Sequence, residues 1–363
     1  MKVDYLVCRL NRSGGRKIIA QHVKLLRERG HEARILTTDS EEEELCGVPA
    51  ERVKAFKASL FHQTNIVVGT RLRDVDAALK LKGPVICYLC QGYELLELFL
   101  SIREEWIPFK YRFNGRWGRL LFLLKKWSYR RRIREIEKIY CLPTVKIAVS
   151  QAIKDVVENT YGAPCYLVPN GVDQKVFRPP AIPHDFKGTL RLLSIGEITG
   201  ALKGIEDAIE AVRILKDKGI PVEFTRVSFR PFSEIELRSG LVDRFFVGLD
   251  ENQMAKLYQS SHILIASSFK NGFGLPVIEA MSSGIPSILI AIGGYKSLGF
   301  SKEFAYFVPP HSPEAIVKGV LNIKENNTFR ENVIKHGFEV AKQFTLENMG
   351  ETLEKTFLGL LRR

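Results

Sequence analysis

Ser267-Ser268-Phe269-Lys270-Asn271-Gly272-Phe273-Gly274-Leu275-Pro276-Val277-Ile278-Glu279-Ala280-Met281, followed by Gly284-Ile285-Pro286, reads as a strand end, a glycine-bearing turn and the opening of a helix. An apolar run at 263–266 leads into it, and Pro276 suits a first helical turn, where a backbone N–H has no intrahelical partner to lose. The N–H groups after Gly274 then point outward from a helix N-terminus, a place that favours an anionic phosphate. Glu279, one turn in, could accept hydrogen bonds from ribose hydroxyls while phosphates lie over the turn. The same spacing fits an ordinary strand–turn–helix connection with a surface glutamate.

Outward from this stretch, short apolar runs alternate with helical patterns. Strands are expected at 190–195, 222–227, 244–247, 263–266 and 286–290, with helices at 204–218, 251–260 and 276–283. An earlier series has strands at 3–10, 33–37, 65–68, 85–89 and 146–149, with a first helix at 16–29. Such alternation predicts βαβ units and parallel sheets, whose strands are apolar because both faces are covered. Between the two series lies Arg178-Pro179-Pro180-Ala181-Ile182-Pro183, a linker by its proline content. The expected organisation is a domain at 1–180, a second at 181–345 and a closing helix at 346–363 that could return to the first. Two doubly wound domains in succession are expected to leave a cleft faced by the carboxyl ends of their strands, where ligands of open parallel sheets bind.

Composition narrows the class. The chain has 363 residues, 45% hydrophobic and 26% charged, too many for one ordinary core. No stretch approaches the roughly 18 apolar residues of a membrane span, and Met1-Lys2-Val3-Asp4-Tyr5 lacks the apolar region of a signal peptide, so a cytoplasmic location is expected. Six cysteines are too sparse for a disulfide framework. Cys87 and Cys90 form a CxxC, but within the apolar run Val85-Ile86-Cys87-Tyr88-Leu89-Cys90, where a buried strand is expected. The seven histidines show no metal-ligand spacing. The formal net charge of +13 is uneven: residues 101–138 hold twelve Lys or Arg against four Glu, a net of +8.

Gly272-Phe273-Gly274-Leu275-Pro276-x-x-Glu279-Ala280-Met281-x-x-Gly284-x-Pro286 resembles the donor-site signature of glycosyltransferase family 4, retaining enzymes of the GT-B fold that use nucleotide sugars. Asn170-Gly171-Val172-Asp173 with Phe177 and Pro179, Ser150 with the helix reaching Tyr161-Gly162, Val247-Gly248 with Leu257-Tyr258, and Gly293-Gly294 resemble further family segments in order and spacing. The likeness runs through most of residues 140–345 and weakens toward the N-terminus. It implies two Rossmann-like doubly wound domains facing a central cleft, with the nucleotide sugar on the second. Glu279 would then hold ribose. Gly272, Phe273, Gly274, Leu275 and Lys203 would hold the diphosphate, and Asn271 would touch the sugar. The resemblance also implies that anomeric configuration is retained and that neither a metal nor another cofactor is needed.

Two departures from the family pattern stand out. The signature usually carries two glutamates eight positions apart, and here Asn271 stands in the first place. Asparagine can hydrogen-bond a sugar hydroxyl but brings no negative charge to a cationic, sugar-like transition state. In Ser194-Ile195-Gly196-Glu197-Ile198-Thr199-Gly200-Ala201-Leu202-Lys203-Gly204, Glu197 stands where family members generally have Arg, and Lys203 follows with one extra residue. Lys203 is the obvious cation for the diphosphate, though a solvated lysine at a turn fits as well.

In the first domain, Arg12-Ser13-Gly14-Gly15-Arg16-Lys17 links the first strand to the first helix and resembles the family's GG loop. Gly14 and Gly15 let backbone approach a ligand, and Arg16 and Lys17 could hold an acceptor phosphate; a plain structural turn fits the two glycines equally. Cys90-Gln91-Gly92-Tyr93-Glu94 ends another strand and is similar to a family subset associated with deoxyhexose transfer to cell-surface polysaccharides. Gln91 and Tyr93 are candidate acceptor residues, and Glu94 is the candidate for a polar or basic role. The catalytic set expected is Glu94, Asn271 and Lys203.

The basic segment interleaves Trp106, Trp117, Trp127 and other apolar residues with arginines and lysines, as a helix does that meets anionic lipid headgroups. A solvated basic helix packing its apolar side on the domain has the same pattern. Nucleic acid is not an expected partner, since no recognised binding motif accompanies the patch. The reading is a glycosyltransferase moving a hexose or deoxyhexose from a nucleoside-diphosphate sugar to a lipid-linked or cell-surface polysaccharide acceptor, peripheral to the inner face of the cell membrane. The alternative is a non-catalytic nucleotide-sugar or glycan-binding protein on the same fold.

Overall fold

The computed structural model describes residues 1–363 except 9, 11–13, 40–42, 81–82, 94, 96–114, 199–203, 270–271, 292–294, 296–297, 299–302 and 363, with backbone alone at 58, 72–73, 77, 115–120, 124, 126 and 235. The chain divides into two compact units, Met1–Asn170 with Leu346–Arg363, and Gly171–Thr345.

In the first unit eight strands form one sheet: β1 Lys2–Val7, β2 Glu32–Thr37, β3 Glu44–Leu45, β4 Val48–Arg52, β5 Ile66–Gly69, β6 Val85–Cys90, β7 Val145–Ala148 and β8 Cys165–Leu167. Their order is β3-β4-β2-β1-β5-β6-β7-β8, parallel throughout except for the β3–β4 hairpin. The helices are α1 Gly14–Glu28, α2 Leu72–Ala78, α3 Gly115–Cys141 and α4 Gln151–Tyr161. Val3, Tyr5, Leu6 and Val7 of β1 are completely buried, as expected of a central strand covered on both faces. Helix α1 turns Ile18, Ile19, Val23 and Leu26 inward, and each such side chain contributes about 1.5–3 kcal/mol on burial. Helix α4 is bounded at both ends by sequence: the Ser150 hydroxyl accepts from Ile153 N–H, and Gly162, at φ 61°, closes it in the left-handed conformation.

The second unit repeats the plan. Its strands are β9 Leu190–Ile195, β10 Val222–Ser228, β11 Arg244–Val247, β12 Ile263–Ala266, β13 Ser287–Ile290 and β14 Tyr306–Val308, in the all-parallel order β11-β10-β9-β12-β13-β14. This is the Rossmann order 3-2-1-4-5-6. Its helices are α5 Ile205–Asp217, α6 Glu234–Ser239, α7 Glu251–Ser260, α8 Leu275–Ser282, α9 Pro313–Glu325 and α10 Asn327–Ala341. Leu192, Phe224, Ile263 and Ile288 of the sheet pack with Ala208, Val212 and Ile316 of its helices in one core. The final helix, α11 Leu346–Leu361, belongs to the first unit. There Arg29 pairs with Glu347 at 2.6 Å, and His31 lies 2.6 Å from Glu354. Gly350 admits the Arg29 guanidinium, which a Cβ would meet at 2.4 Å.

The long strand and helix patterns match these elements closely. The first strand ends at Val7, short of the expected 10, and α1 begins at Gly14, so both glycines form its first turn. Strands β3, β4, β8 and β14 were not expected; each is two to five residues long and takes its extended form from pairing at a sheet margin. The proline-rich stretch, expected as the linker, lies inside the second unit, whose first residue is Gly171. Burial holds it there: Phe177 is 1% exposed, edge-on to Tyr258 at 5.9 Å, and the Arg178 carbonyl accepts from Gln259.

Candidate functional site

The parallel strands of each sheet reverse their order between β1 and β5 in the first unit and between β9 and β12 in the second. Open parallel sheets bind ligands beyond the carboxyl ends of the strands at such a reversal. The described sequence candidates lie in the segments around these two places.

In the second unit, β12 runs into the turn that ends at Gly274, whose φ of 100° is a left-handed conformation suited to glycine. Gly274 is the N-cap of α8, and its carbonyl accepts from Val277 and Ile278; Pro276 has no N–H, so Leu275 supplies the first-turn amide that has no intrahelical acceptor. Phe273 is 4% exposed and edge-on to Phe344 at 5.2 Å, so its ring anchors the turn. Glu279 is 6% exposed, not the surface glutamate that the spacing also allowed. The Tyr258 hydroxyl lies 3.0 Å from its Oε2 and 3.1 Å from the Pro276 carbonyl oxygen. Burial, followed by the nearby Glu279 charge, raises the Tyr258 pKa well above its ordinary value, which keeps the phenol protonated as a donor.

The neighbouring loop after β9 comes close to this turn. Gly204, at φ 59°, caps α5, and a Cβ there would lie 2.0 Å from the Ser267 carbonyl oxygen. Glu197 pairs with Arg230 at 3.2 Å. Beneath the loop Arg226, fully buried, donates to the carbonyls of Ser194 and Gly196 at 2.7 and 2.6 Å and to Glu236 at 3.1 Å. Burial draws the Arg226 pKa down to about 10, with Glu236 opposing the shift. Lys203 and Asn271 lie outside the described residues.

At the first unit's reversal, Gly15 and Gln91 meet. Gln91 Nε2 donates to the Gly15 carbonyl at 2.7 Å, and a Cβ on Gly15 would lie 2.2 Å from Gln91 Oε1. Gly14 opens α1 beside it. Arg16 was expected to face a ligand but is 4% exposed; its Nη1 donates to Thr70 Oγ1 at 3.3 Å, and Nη2 has no partner. Asp74, fully buried, accepts from the Cys8 thiol at 2.7 Å, while its Oδ2 has no partner. Burial, ahead of nearby Arg71, lowers the Arg16 pKa, and burial raises that of Asp74. Asp74 and Thr70 escaped the sequence reading because no motif marks them; an Asp four residues past Thr70 on an amphipathic helix start resembles any capping residue. Tyr93 is drawn into an aromatic group, its hydroxyl 3.3 Å from that of Tyr161, with Tyr140 stacked on Tyr161 at 4.6 Å. Glu94 lies outside the described residues. Cys87 sits in β6 as the CxxC reading expected, its thiol pushed by burial up to about 12. Among the described residues no three His, Cys, Asp or Glu come together as a metal site, and no helix is long and apolar enough to cross a membrane.

Along α3, Phe122, Ile133 and Tyr140 are buried, whereas Leu123 and Trp127 are 44% and 67% exposed on the side that carries Arg130, Arg131 and Arg134. Trp106 and Trp117 lie beyond what can be described of side chains.

The family model for glycosyl transferases group 1 matches residues 181–340, and that for Glycosyltransferase Family 4 matches residues 12–176. The MMP alpha-(1->4)-mannosyltransferase of Mycolicibacterium hassiacum is 26% identical over 177 residues, covering 47% of this chain and 42% of that protein. The lipopolysaccharide core biosynthesis mannosyltransferase LpsB of Rhizobium meliloti is 23% identical over 218 residues, 55% of this chain and 62% of that one. The chain thus spans less than two thirds of the length of these curated relatives. The structure of Anabaena HepE, in complex with UDP and glucose, superposes with a TM-score of 0.71 at 15% identity, covering 99% of this chain and 100% of that chain. That likeness concerns the fold, which is GT-B. With the two family models together matching residues 12–176 and 181–340, the chain belongs to the group 1, family 4 glycosyltransferases.

Proposed function

We propose that this protein is a retaining glycosyltransferase that moves a hexose or deoxyhexose from a nucleoside-diphosphate sugar to a lipid-linked or cell-surface polysaccharide acceptor. The observation that carries the reading is the left-handed Gly274 cap of α8 with Glu279 buried one turn in and oriented by Tyr258. Backbone amides at that N-terminus suit a diphosphate, and a carboxylate held at fixed depth suits vicinal ribose hydroxyls. The leaving diphosphate is the charge such a site must stabilise, so catalysis is electrostatic, met by amides and by Lys203, with Asn271 toward the sugar. The reading calls on no metal. The named mannosyltransferase and lipopolysaccharide relatives support the sugar and acceptor classes.

On the first unit the acceptor lies at Gly14, Gly15 and Gln91, with Glu94 in the polar role. Arg16 and Tyr93, being tied to Thr70 and Tyr161, act there by shaping the site. The exposed Leu123, Trp127 and arginine face of α3 supports a peripheral place on an anionic membrane. Sedimentation with anionic liposomes, but not with neutral ones, checks that part.

The donor site is tested by thermal stability against UDP, GDP, ADP and dTDP sugars, since a ligand that binds only the native state raises the midpoint. One base should shift it selectively, and Glu279→Ala should abolish the shift; no shift with any donor would sink the reading. A second reading, a binding protein without turnover, is favoured by Glu197 standing where the family has an arginine. Donor binding without hydrolysis or transfer, even with Asn271→Glu, would support it.

A further inference from the structure

Glu197 and Arg230 follow β9 and β10, adjacent parallel strands in register through Val227 and Ile195. Both therefore stand at the carboxyl end of the second sheet, beside its reversal. The ion pair runs from Arg230 Nε to Glu197 Oε2 at 3.2 Å, with the arginine side chain 68% exposed and the glutamate 30%. An exposed pair of this kind adds little to stability, so its value lies elsewhere.

Glu197 is not loosely placed. Arg226 grips the carbonyls on either side of Ile195, and Gly204 packs against Ser267, which brings the same loop to the turn that opens α8. A carboxylate fixed near a diphosphate repels it unless a cation neutralises it. Among the described residues in the segments that follow the six strands, Arg230 is the only Lys or Arg; Lys203, Lys270, Lys296 and Lys302 lie outside the described residues. Guanidinium chemistry fits both tasks: with Nε on Glu197, the two Nη groups of the planar fork remain a geometry suited to phosphate oxygens.

We infer that Arg230, steered by Glu197, contacts the diphosphate of a bound nucleoside diphosphate. The inference rests on the donor site proposed above. Glu197 thereby serves as the residue that positions a cation arriving from the next strand.

The test is calorimetric titration of UDP, GDP, ADP and dTDP, and of the matching nucleosides, into wild type, Arg230→Ala, Arg230→Lys and Glu279→Ala. Melting curves accompany each, and an exposed Arg230 leaves the fold intact when changed. Arg230→Ala should weaken the preferred diphosphate about tenfold or more, the worth of one charged hydrogen bond. It should leave the nucleoside unaffected, and Arg230→Lys should recover part of the loss. Wild-type affinity in Arg230→Ala with loss in Glu279→Ala would overturn this inference and keep the donor site. Equal losses in the Ala and Lys variants, or an equal loss for the nucleoside, would also overturn it. Full affinity in both Arg230→Ala and Glu279→Ala would overturn the donor site itself.

Discussion

The two sheets end alike and are finished differently. Where the first reverses, between β1 and β5, the chemistry is carried by buried and half-buried side chains: Arg16 on Thr70, Cys8 on Asp74, Gln91 on the Gly15 carbonyl. Where the second reverses, between β9 and β12, it is carried by backbone at Gly204 and Gly274, with one exposed arginine and one buried glutamate. Backbone amides recognise charge and are indifferent to what bears it; a side-chain cluster recognises one arrangement of donors and acceptors. Under the proposed function, the contrast suits a donor site that any nucleoside diphosphate could share and an acceptor site particular to this chain.

The sharpest way to break the contrast is at Arg226, a side chain on which the backbone-built site depends. Arg226→Met should cost about 3–5 kcal/mol, because Glu236 is left buried without its cation. Urea denaturation checks this, and Arg226→Met with Glu236→Leu should recover part of it, the loss of the Ser233–Glu236 capping box remaining. Gly204→Ala should cost about 2–3 kcal/mol, from left-handed strain and the close Ser267 carbonyl. Its melting point should fall well below that of Gly162→Ala, where no atom lies near the new Cβ.

Acid should weaken both units through buried histidines. Burial, and then Arg191 and His184, hold the His262 pKa down to about 4, and burial holds His22 in the first unit to about 3. Both are neutral when folded, whereas an unfolded histidine protonates near its ordinary 6.5. The unfolded state therefore binds more protons as pH falls from about 6.5 toward 4, and stability is lost through that window. For His262 the loss is on the order of 2 kcal/mol, and urea midpoints for His262→Gln between pH 7 and 4.5 should be the flatter series. Tyr258→Phe should have the smallest effect on folding, about 1 kcal/mol, read from melting curves, yet it should weaken donor binding by loosening Glu279.

Legibility followed the kind of signal each region carries. Residues 190–195, 244–247, 251–260 and 263–266 were readable because burial on a parallel sheet demands apolar runs and the helices between them obey one period. Strands β3, β4, β8 and β14 have no pattern of their own and exist through their partners. The Gly274 turn and Glu279 were readable as a motif because a left-handed cap needs glycine and a fixed offset. Asp74, Thr70, Arg226 and Arg230 were not, since an isolated Asp or Arg has the same face value in a core as on a surface. The family models meet between residues 176 and 181, at the proline-rich stretch, while the compact units part at Gly171, because proline marks a break in regular structure and not the point where packing changes sides.

By itself, the sequence determined two parallel α/β sheets, the glycine-capped helix with its glutamate and the family to which the chain belongs. All of these are local: periodicity, caps and left-handed turns are decided within a few residues of chain. Tertiary structure alone decided that Arg16 is buried against Thr70, that Glu197 is answered by Arg230 and that the last helix joins the first unit. These contacts join residues far apart in the chain, where the strand order of each sheet, and not sequence distance, sets which side chains meet.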